Sequence, residues 1–378
     1  MTEPHSASVL LEHAPSSPGT DAQRLRRSTR VFGPLAPYLV DPAVTDLFVN
    51  GHEQLWVDRG GGAVREAGWS CPGEDALRAF AVRLVAHGGR HIDEASPCVD
   101  VEVEGVRVHV VLPPIAAGGT TISVRVPGSD RPDLDALARR GVFGTGSSAV
   151  AARRFVEQAV GDRVNVLVTG AGGSGKTTFL AALLAGADPR DRLVVIEDVT
   201  ELRVAHPHVV ALEARQPNLE GAGGIGLAEL VRQALRMRPD RLVLGECRGA
   251  EIRELLSALN TGHDGGAGTL HANAIADVPA RLEALGALAG LDASAIARQA
   301  VSAIGLVVHL RRTDRGREIE GFGRLALDAR DRLVVREVAL APAATASRPV
   351  QPRRPPAPSK PTPTPAGPSP SRPEATTR

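Results

Sequence analysis

The sequence predicts an α/β chain, in which a mostly parallel sheet with crossover helices follows a smaller α+β domain. Three observations predict it. From about residue 134 to 341, apolar strands alternate with amphipathic helices, the pattern of a parallel sheet wrapped by helices. One of those strands runs through a glycine-rich loop directly into a helix. The block before it, about 21–126, carries one helix and then a run of short alternating strands.

In the first block, Leu77, Phe80, Ala81, Leu84 and Val85 recur at helical spacing over 75–87, and Gly88 and Gly89 end the helix. Strands are expected near 99–104, 107–112 and 121–126, and 127–133 reads as a turn-rich linker. In the second block, strands are expected at 164–169, 193–197 and 242–246. Helices follow at 176–185, 227–237 and 249–260. Leu227, Leu230, Val231, Ala234 and Leu235 share one helix face. Residues 1–20 and the Pro-rich 342–378 bury too little apolar surface to offset ordering entropy, and both read as disordered. The Pro-rich tail reads as a spacer or as a docking segment.

With 43% hydrophobic and 23% charged residues the chain has enough apolar material for a globular core. A net charge of +1 and only 3% aromatic residues argue against a nucleic-acid channel. Three cysteines without a C-x-x-C pair argue against a disulfide framework or a structural zinc site, and fit a reducing cytosol. No signal sequence or membrane-length apolar run is present, so a cytoplasmic location is expected. Of 44 basic residues only Lys176 and Lys360 are lysines. A lysine retained in so arginine-rich a chain marks a place that needs a compact point charge rather than a planar fork.

Lys176 lies in Gly170-Ala171-Gly172-Gly173-Ser174-Gly175-Lys176-Thr177, followed by Thr178, between the 164–169 strand and the 176–185 helix. This is the G-x-x-x-x-G-K-[ST] pattern in strand–loop–helix context. Gly170, Gly172, Gly173 and Gly175 let backbone N–H groups converge on phosphate oxygens, with Ser174 among them, and the helix N-terminus adds partial positive charge. Lys176 would neutralise the β- and γ-phosphates, and Thr177 would ligate Mg²⁺. A second glycine run, Gly221 to Gly226, matches G-x-G-x-x-G, but what precedes it is not strand-like, so it reads as a loop rather than a dinucleotide fingerprint.

Two strands end in acids, Val194-Val195-Ile196-Glu197-Asp198 and Leu242-Val243-Leu244-Gly245-Glu246. In open α/β sheets ligands sit at that edge, and an acid there holds Mg²⁺ or orients the attacking water. Either alone also reads as a strand end meeting solvent; the two together favour a site. Arg236, Arg238, Arg241 and Arg248 bracket the second strand as candidates for stabilising phosphate charge or as solvated surface. The stretch Gly262 to Asn273 carries His263 and His271 among glycines, and reads as a phosphate-sensing loop or as an exposed glycine loop.

Jointly these segments resemble the secretion and pilus-assembly ATPases of type II/IV systems, in the TadA/CpaF branch. The Walker A loop is 170–178, an "Asp box" lies at 196–202, an extended Walker B at 235–249 and a "His box" at 260–273. The first domain contributes Val44 to Gly51, His91 to Pro97 and Gly105 to His109. The resemblance implies a PAS-like domain ahead of a RecA-like ATPase core. It implies a homo-oligomeric ring, a hexamer, that binds ATP and Mg²⁺ and is held at the inner face of the cell membrane by polytopic platform proteins. It assigns Glu246 and Glu197 to water activation and Mg²⁺ handling, with Thr177 and Glu246 holding the metal. His271 becomes the nucleotide sensor, and Arg248, of the bracketing arginines, is counted with the catalytic set on its position after the strand. Arg107 and Arg125 become phosphate contacts from the first domain. The function expected is a motor powering a Tad/Flp-type pilus or a related export system. The alternative is a RecA-like DNA-translocating or conjugation-associated ATPase. The absent tetracysteine zinc module separates the chain from type II assembly ATPases, and the Pro-rich tail is no family feature.

Overall fold

The computed structural model describes residues 31–126, 131–217, 222–314 and 316–340. The segment 1–20, the tail 342–378 and residues 127–130 of the expected linker lie outside the described residues. The described residues belong to one compact unit built on two sheets.

A short helix, α1 (Ala36–Leu39), leads into the first sheet, which has six antiparallel strands in the order β3-β2-β1-β6-β5-β4. They are β1 (Asp46–Asn50), β2 (Leu55–Asp58), β3 (Ala63–Arg65), β4 (Cys98–Val103), β5 (Val106–Val111) and β6 (Thr121–Arg125). Helix α2 (Glu74–His87) lays Leu77, Phe80, Ala81, Leu84 and Val85 on one face of this sheet, against Leu47, Val49, Val101, Val108, Val110 and Ile122. Gly88 ends the helix where it meets the sheet; a Cβ there would fall 2.1 Å from Val101 Cγ2. Strand alternation leaves the other face to Asp46, Phe48, Asp100, Arg107, His109 and Ser123.

The second sheet has eight strands in the order β14-β13-β12-β7-β11-β10-β8-β9. The six from β12 to β9 are parallel, and the β13–β14 hairpin closes one edge antiparallel. These strands are β7 (Val166–Gly170), β8 (Leu193–Glu197), β9 (Val209–Glu213), β10 (Arg241–Cys247), β11 (Ala267–His271), β12 (Leu306–Thr313), β13 (Gly316–Leu327) and β14 (Leu333–Glu337). Helices α3 (Leu134–Arg139), α4 (Gly146–Gly161) and α5 (Lys176–Ala185) cover one face over Val166, Val168, Val195, Val243 and Val308. Helices α6 (Leu227–Ala234), α7 (Ile252–Asn260), α8 (Val278–Leu288) and α9 (Ala293–Ala303) cover the other over Leu167, Val194, Ile196, Leu244 and Leu270. Neighbouring residues of one strand thus serve opposite cores, which is why these strands are apolar throughout.

The expected α/β architecture is the observed one. The 227–237 helix stops earlier, at Ala234, then tightens to a 3₁₀ turn over Leu235–Met237, and Arg238 is left-handed at φ 55°. Pro239 disfavours helical geometry at the residue before it. The 249–260 helix begins at Ile252, because the Glu251 carboxylate accepts from the backbone N–H of Arg248 and Gly249 at 2.6 and 2.7 Å and turns the chain first. The glycine stretch before His271 is not an exposed loop: Ala267 to Leu270 form a buried central strand. Gly266, just before it, sits close against β10, since a Cβ there would lie 2.9 Å from the Leu242 carbonyl. In the second glycine run, of which residues 222–226 are described, Gly226 precedes α6.

Arg241 starts β10 at the edge opposite the glycine-rich loop. It is 2% exposed, donates to Asp191 at 2.7 Å and to the Val160 carbonyl at 3.0 Å, and Arg163 reaches the other Asp191 oxygen at 2.8 Å. Arg241, and with it Arg236 and Arg238, therefore lies away from the phosphate edge. Removing one partner leaves a buried charge uncompensated. Asp191→Asn should lower stability by about 3 kcal/mol while nucleotide affinity stays within roughly twofold of wild type; thermal melts and nucleotide titrations read both.

Candidate nucleotide site

Parallel pairing sets four strand ends side by side. From the middle of the sheet outward they are Gly170 of β7, His271 of β11, Glu246 of β10 and Glu197 of β8. The loop 170–175 turns from β7 into α5. Its glycines answer local crowding and backbone shape. A Cβ at Gly170 would strike the Leu310 carbonyl at 2.3 Å, and Gly175 sits at φ 92° under the Arg317 side chain. The space beside Gly173 is open, and the imidazole edge of His271 lies 3.9 Å from a Cβ placed on Gly172.

Lys176 is buried, and its ammonium donates to the carbonyls of Gly170 and Ala171, both at 3.0 Å. Burial pulls its pKa down, opposed by the charges of Glu246 and Glu201. Thr177 and Thr178 follow in the first turn of α5.

Glu246 owes its direction to a bulge. Leu244 faces Gly268, but Cys247, not Glu246, faces Leu270, so β10 carries one extra residue over this step. Leu242, Leu244 and Cys247 all enter the same core, where simple alternation would have sent residue 246. The extra residue turns the carboxylate out of that core. Thr269 holds the bulge by donating to the Gly245 carbonyl at 2.7 Å. The Glu246 carboxylate accepts from Arg248 Nε at 2.8 Å. Its buried Oε1 lies 2.5 Å from His271 Nε2 without hydrogen-bond alignment. Burial lowers the His271 pKa, with Glu246 pulling it up. His263, the other histidine of that stretch, lies before β11 and contacts the Ala258 carbonyl, away from this edge.

The first sheet supplies one wall. Arg107 lines a cleft together with Thr177, Glu197, Glu246, Arg248 and Glu201. Its guanidinium reaches Glu201 at 3.2 Å and Asp100 at 3.7 Å. Arg125, its cross-strand neighbour, pairs instead with Asp46 at 3.1 Å and lines an adjoining hollow. The structure brings Lys176, Thr177, Glu246, His271, Arg248 and Arg107 to one edge, and sets Arg125 outside that cleft.

These residues fit a polyphosphate with a divalent cation. Ser174 Oγ and Glu246 Oε1 are both shielded from solvent and make no hydrogen bond, and the loop is open beside Gly173.

The family described as type II/IV secretion system protein matches residues 32–337. The chain belongs to that family. A putative conjugal transfer protein of Mycobacterium tuberculosis is 46% identical over 292 residues, 75% of this chain and 81% of that one. The conjugal transfer protein TrbB of Rhizobium radiobacter is 33% identical over 74% of this chain and 83% of its own. Among solved structures, the pilus retraction motor PilT with bound ADP has a TM-score of 0.50 at 19% identity, covering 84% of this chain and 83% of that one, a likeness of fold.

Within this type II/IV secretion family member, several polar residues had no sequence signal. Arg317 of β13 donates to the Gly173 carbonyl at 3.0 Å and so lies against the phosphate loop from a strand that reading along the chain did not find. His309 of β12, wholly buried, touches Thr169 Oγ1 at 2.8 Å directly behind the loop. Glu201 was legible only as part of the 196–202 segment, and nothing local announced its pairing with Arg107.

Glu197 is 6% exposed, and burial raises its pKa to about 7, against the pull of the Leu202 and Glu201 backbone N–H groups. A carboxyl raised in the folded state favours folding most below its unfolded value, and that advantage is lost as pH rises through the folded value. Wild type should therefore lose on the order of 3 kcal/mol relative to Glu197→Gln between about pH 4.5 and 7. Parallel denaturation curves across that range should diverge there and run level above it.

Proposed function

We propose that this chain is an ATP-hydrolysing motor subunit of a type II/IV export or pilus-assembly machine. The observation that carries the reading is the single cleft in which Thr177, the bulge-directed Glu246 and Arg107 of the other sheet meet beside the Lys176 loop.

Lys176 and the loop N–H groups hold the phosphates, and Thr177 and Glu246 hold Mg²⁺, which supplies charge neutralisation on the phosphate oxygens. Glu246 orients water for attack. Arg248 keeps that carboxylate aimed, and His271, whose pKa burial lowers, reports on the oxygen that Glu246 handles. Arg107 must leave Glu201 and Asp100 to meet a phosphate, so its position changes with phosphate charge. The two sheet regions then act as two domains, 21–126 and 134–341, that close over nucleotide and open after hydrolysis. Closure in a ring oligomer, held by polytopic membrane partners, turns that change into movement. Among the described residues no helix is long and apolar enough to cross a membrane, which agrees with attachment through partners.

Within the family, the motifs of the first block and the 235–249 segment favour the TadA/CpaF branch and a Tad/Flp-type pilus. The names of the mycobacterial and TrbB relatives favour a second reading, a conjugation-associated ATPase of the same mechanism. Pilin-like substrate proteins co-purifying with the motor would support the first, and DNA-stimulated hydrolysis the second.

Lys176→Ala should abolish ATP turnover, a loss of several orders of magnitude, and normal turnover would refute the phosphate assignment. Glu246→Gln should retain ATP while hydrolysis collapses by at least about a hundredfold; equilibrium ATP binding and steady-state turnover separate the two effects. Arg107→Ala should cut turnover roughly a hundredfold and spare ADP affinity, whereas Arg125→Ala should have the smaller effect on turnover. Equal losses in both would place the arginines differently from the cleft described here.

A further inference from the structure

We propose that Glu197 is a positioning residue, not a water-activating or metal-holding one, and that the segment it holds, 198–203, is the joint through which the phosphate edge of the second sheet acts on the first. The proposal deepens the ATPase reading and rests on it.

Both Glu197 oxygens are engaged with backbone. Oε1 and Oε2 accept from Leu202 N–H at 3.1 and 3.2 Å, and Oε2 also accepts from Glu201 N–H at 3.3 Å. The side chain reaches the segment across Gly245; a Cβ there would fall 2.6 Å from Glu197 Cγ. The glycine before Glu246 is thus the space Glu197 needs to turn toward 198–203. A carboxylate spent on two neighbouring amides fixes a loop, as an acid does at a helix N-terminus.

The held segment receives the first sheet. Arg90, just beyond α2, donates to the Asp198 carbonyl at 2.8 Å, to the Ala214 carbonyl at 3.1 Å and to Glu213 Oε1 at 3.1 Å. Arg203 donates back to the Gly105 carbonyl, in the β4–β5 turn, at 2.7 Å. Arg107 donates to Glu201 at 3.2 Å. Glu213 completes the clamp, because its other oxygen accepts from Thr200 N–H at 3.1 Å and Thr200 Oγ1 at 2.8 Å. One six-residue segment therefore ties Glu197 below, β9 beside it and three points of the first region above.

The mechanical consequence follows from charge. A phosphate in the cleft competes with Glu201 for Arg107. Glu201 cannot follow Arg107 freely while Glu197 holds its N–H, so the exchange of partners moves the first sheet rather than the loop. Were the loop slack, Arg107 could change partner without moving anything else.

The test uses the full-length chain and reads ATP turnover, ADP affinity and amide hydrogen exchange at residues 198–203. Glu197→Gln keeps length and an acceptor oxygen but cannot act as a base. Glu197→Asp keeps the charge and falls short of the Leu202 amide. The expected result is that Glu197→Gln retains kcat within roughly threefold, while Glu197→Asp and Arg90→Ala each lower kcat about tenfold with ADP affinity within about twofold. Exchange should quicken at 198–203 in the latter two and not in Glu197→Gln. The double variant Glu197→Asp with Arg90→Ala should lose less than the product of the single losses. Loss of turnover in Glu197→Gln with unchanged exchange would overturn the proposal and make Glu197 a catalytic carboxylate. Faster exchange in Glu197→Asp with normal kcat would also overturn it, leaving the segment purely structural. Glu246→Gln run in parallel keeps the two readings apart: its normal turnover would refute the catalytic site, whereas the exchange pattern tests the joint alone.

Discussion

Four neighbouring parallel strands, held in register by their backbone hydrogen bonds, bring Gly170, His271, Glu246 and Glu197 to one edge although they are scattered over a hundred residues of chain. Everything chemical depends on that register. Parallel strands all point the same way, so every strand end carries its side chain to the same side of the molecule. A single irregularity in this order, the bulge at Gly245–Glu246 pinned by Thr269, separates an acid that faces the cleft from one that faces a core.

The cleft sets opposite charges side by side. Arg107 and Arg248 stand among Glu201, Glu246 and Asp198, with Arg107 paired to Glu201 and Arg248 to Glu246. Burial still biases individual groups, pulling Lys176 and His271 down and Glu197 up. A site balanced in this way responds to an added phosphate by exchanging partners among fixed side chains rather than by building new structure. The arginines of the first sheet take part because strand alternation sends Val106, Val108 and Val110 to the core and leaves Arg107 and His109 on the opposite face.

The far edge of the second sheet is held by different chemistry. Arg241, Asp191 and Arg163 form a buried charged cluster that joins the end of α4 to the start of β10. Asn165 adds a neutral tie, with its amide donating to the Leu259 and Ala303 carbonyls and its oxygen accepting from Gly266. Rigidity at that end leaves the other end's loops as the place where position can change.

The sequence by itself determined the α/β class, the strand–loop–helix that carries Lys176, and Glu246 as the acid at a strand end, because each is a local pattern of burial period or glycine spacing. It also determined the alternation that exposes Arg107 and Arg125, though not their unequal places. Strands β1 to β3, β9 and β14 were illegible because short pleats carry little periodicity, β13 because Gly321 and Gly323 interrupt its pattern, and β11 was hidden by glycines that its crowded neighbours require. Only the tertiary structure decided that Arg241 lies at the wrong edge, that His271 and not His263 reaches the phosphate loop, and that Glu197, which lines the same cleft as Glu246, spends its oxygens on the backbone of a loop. Those outcomes depend on pairing order and on one extra residue in a strand, and both are set by contacts between segments far apart in the chain.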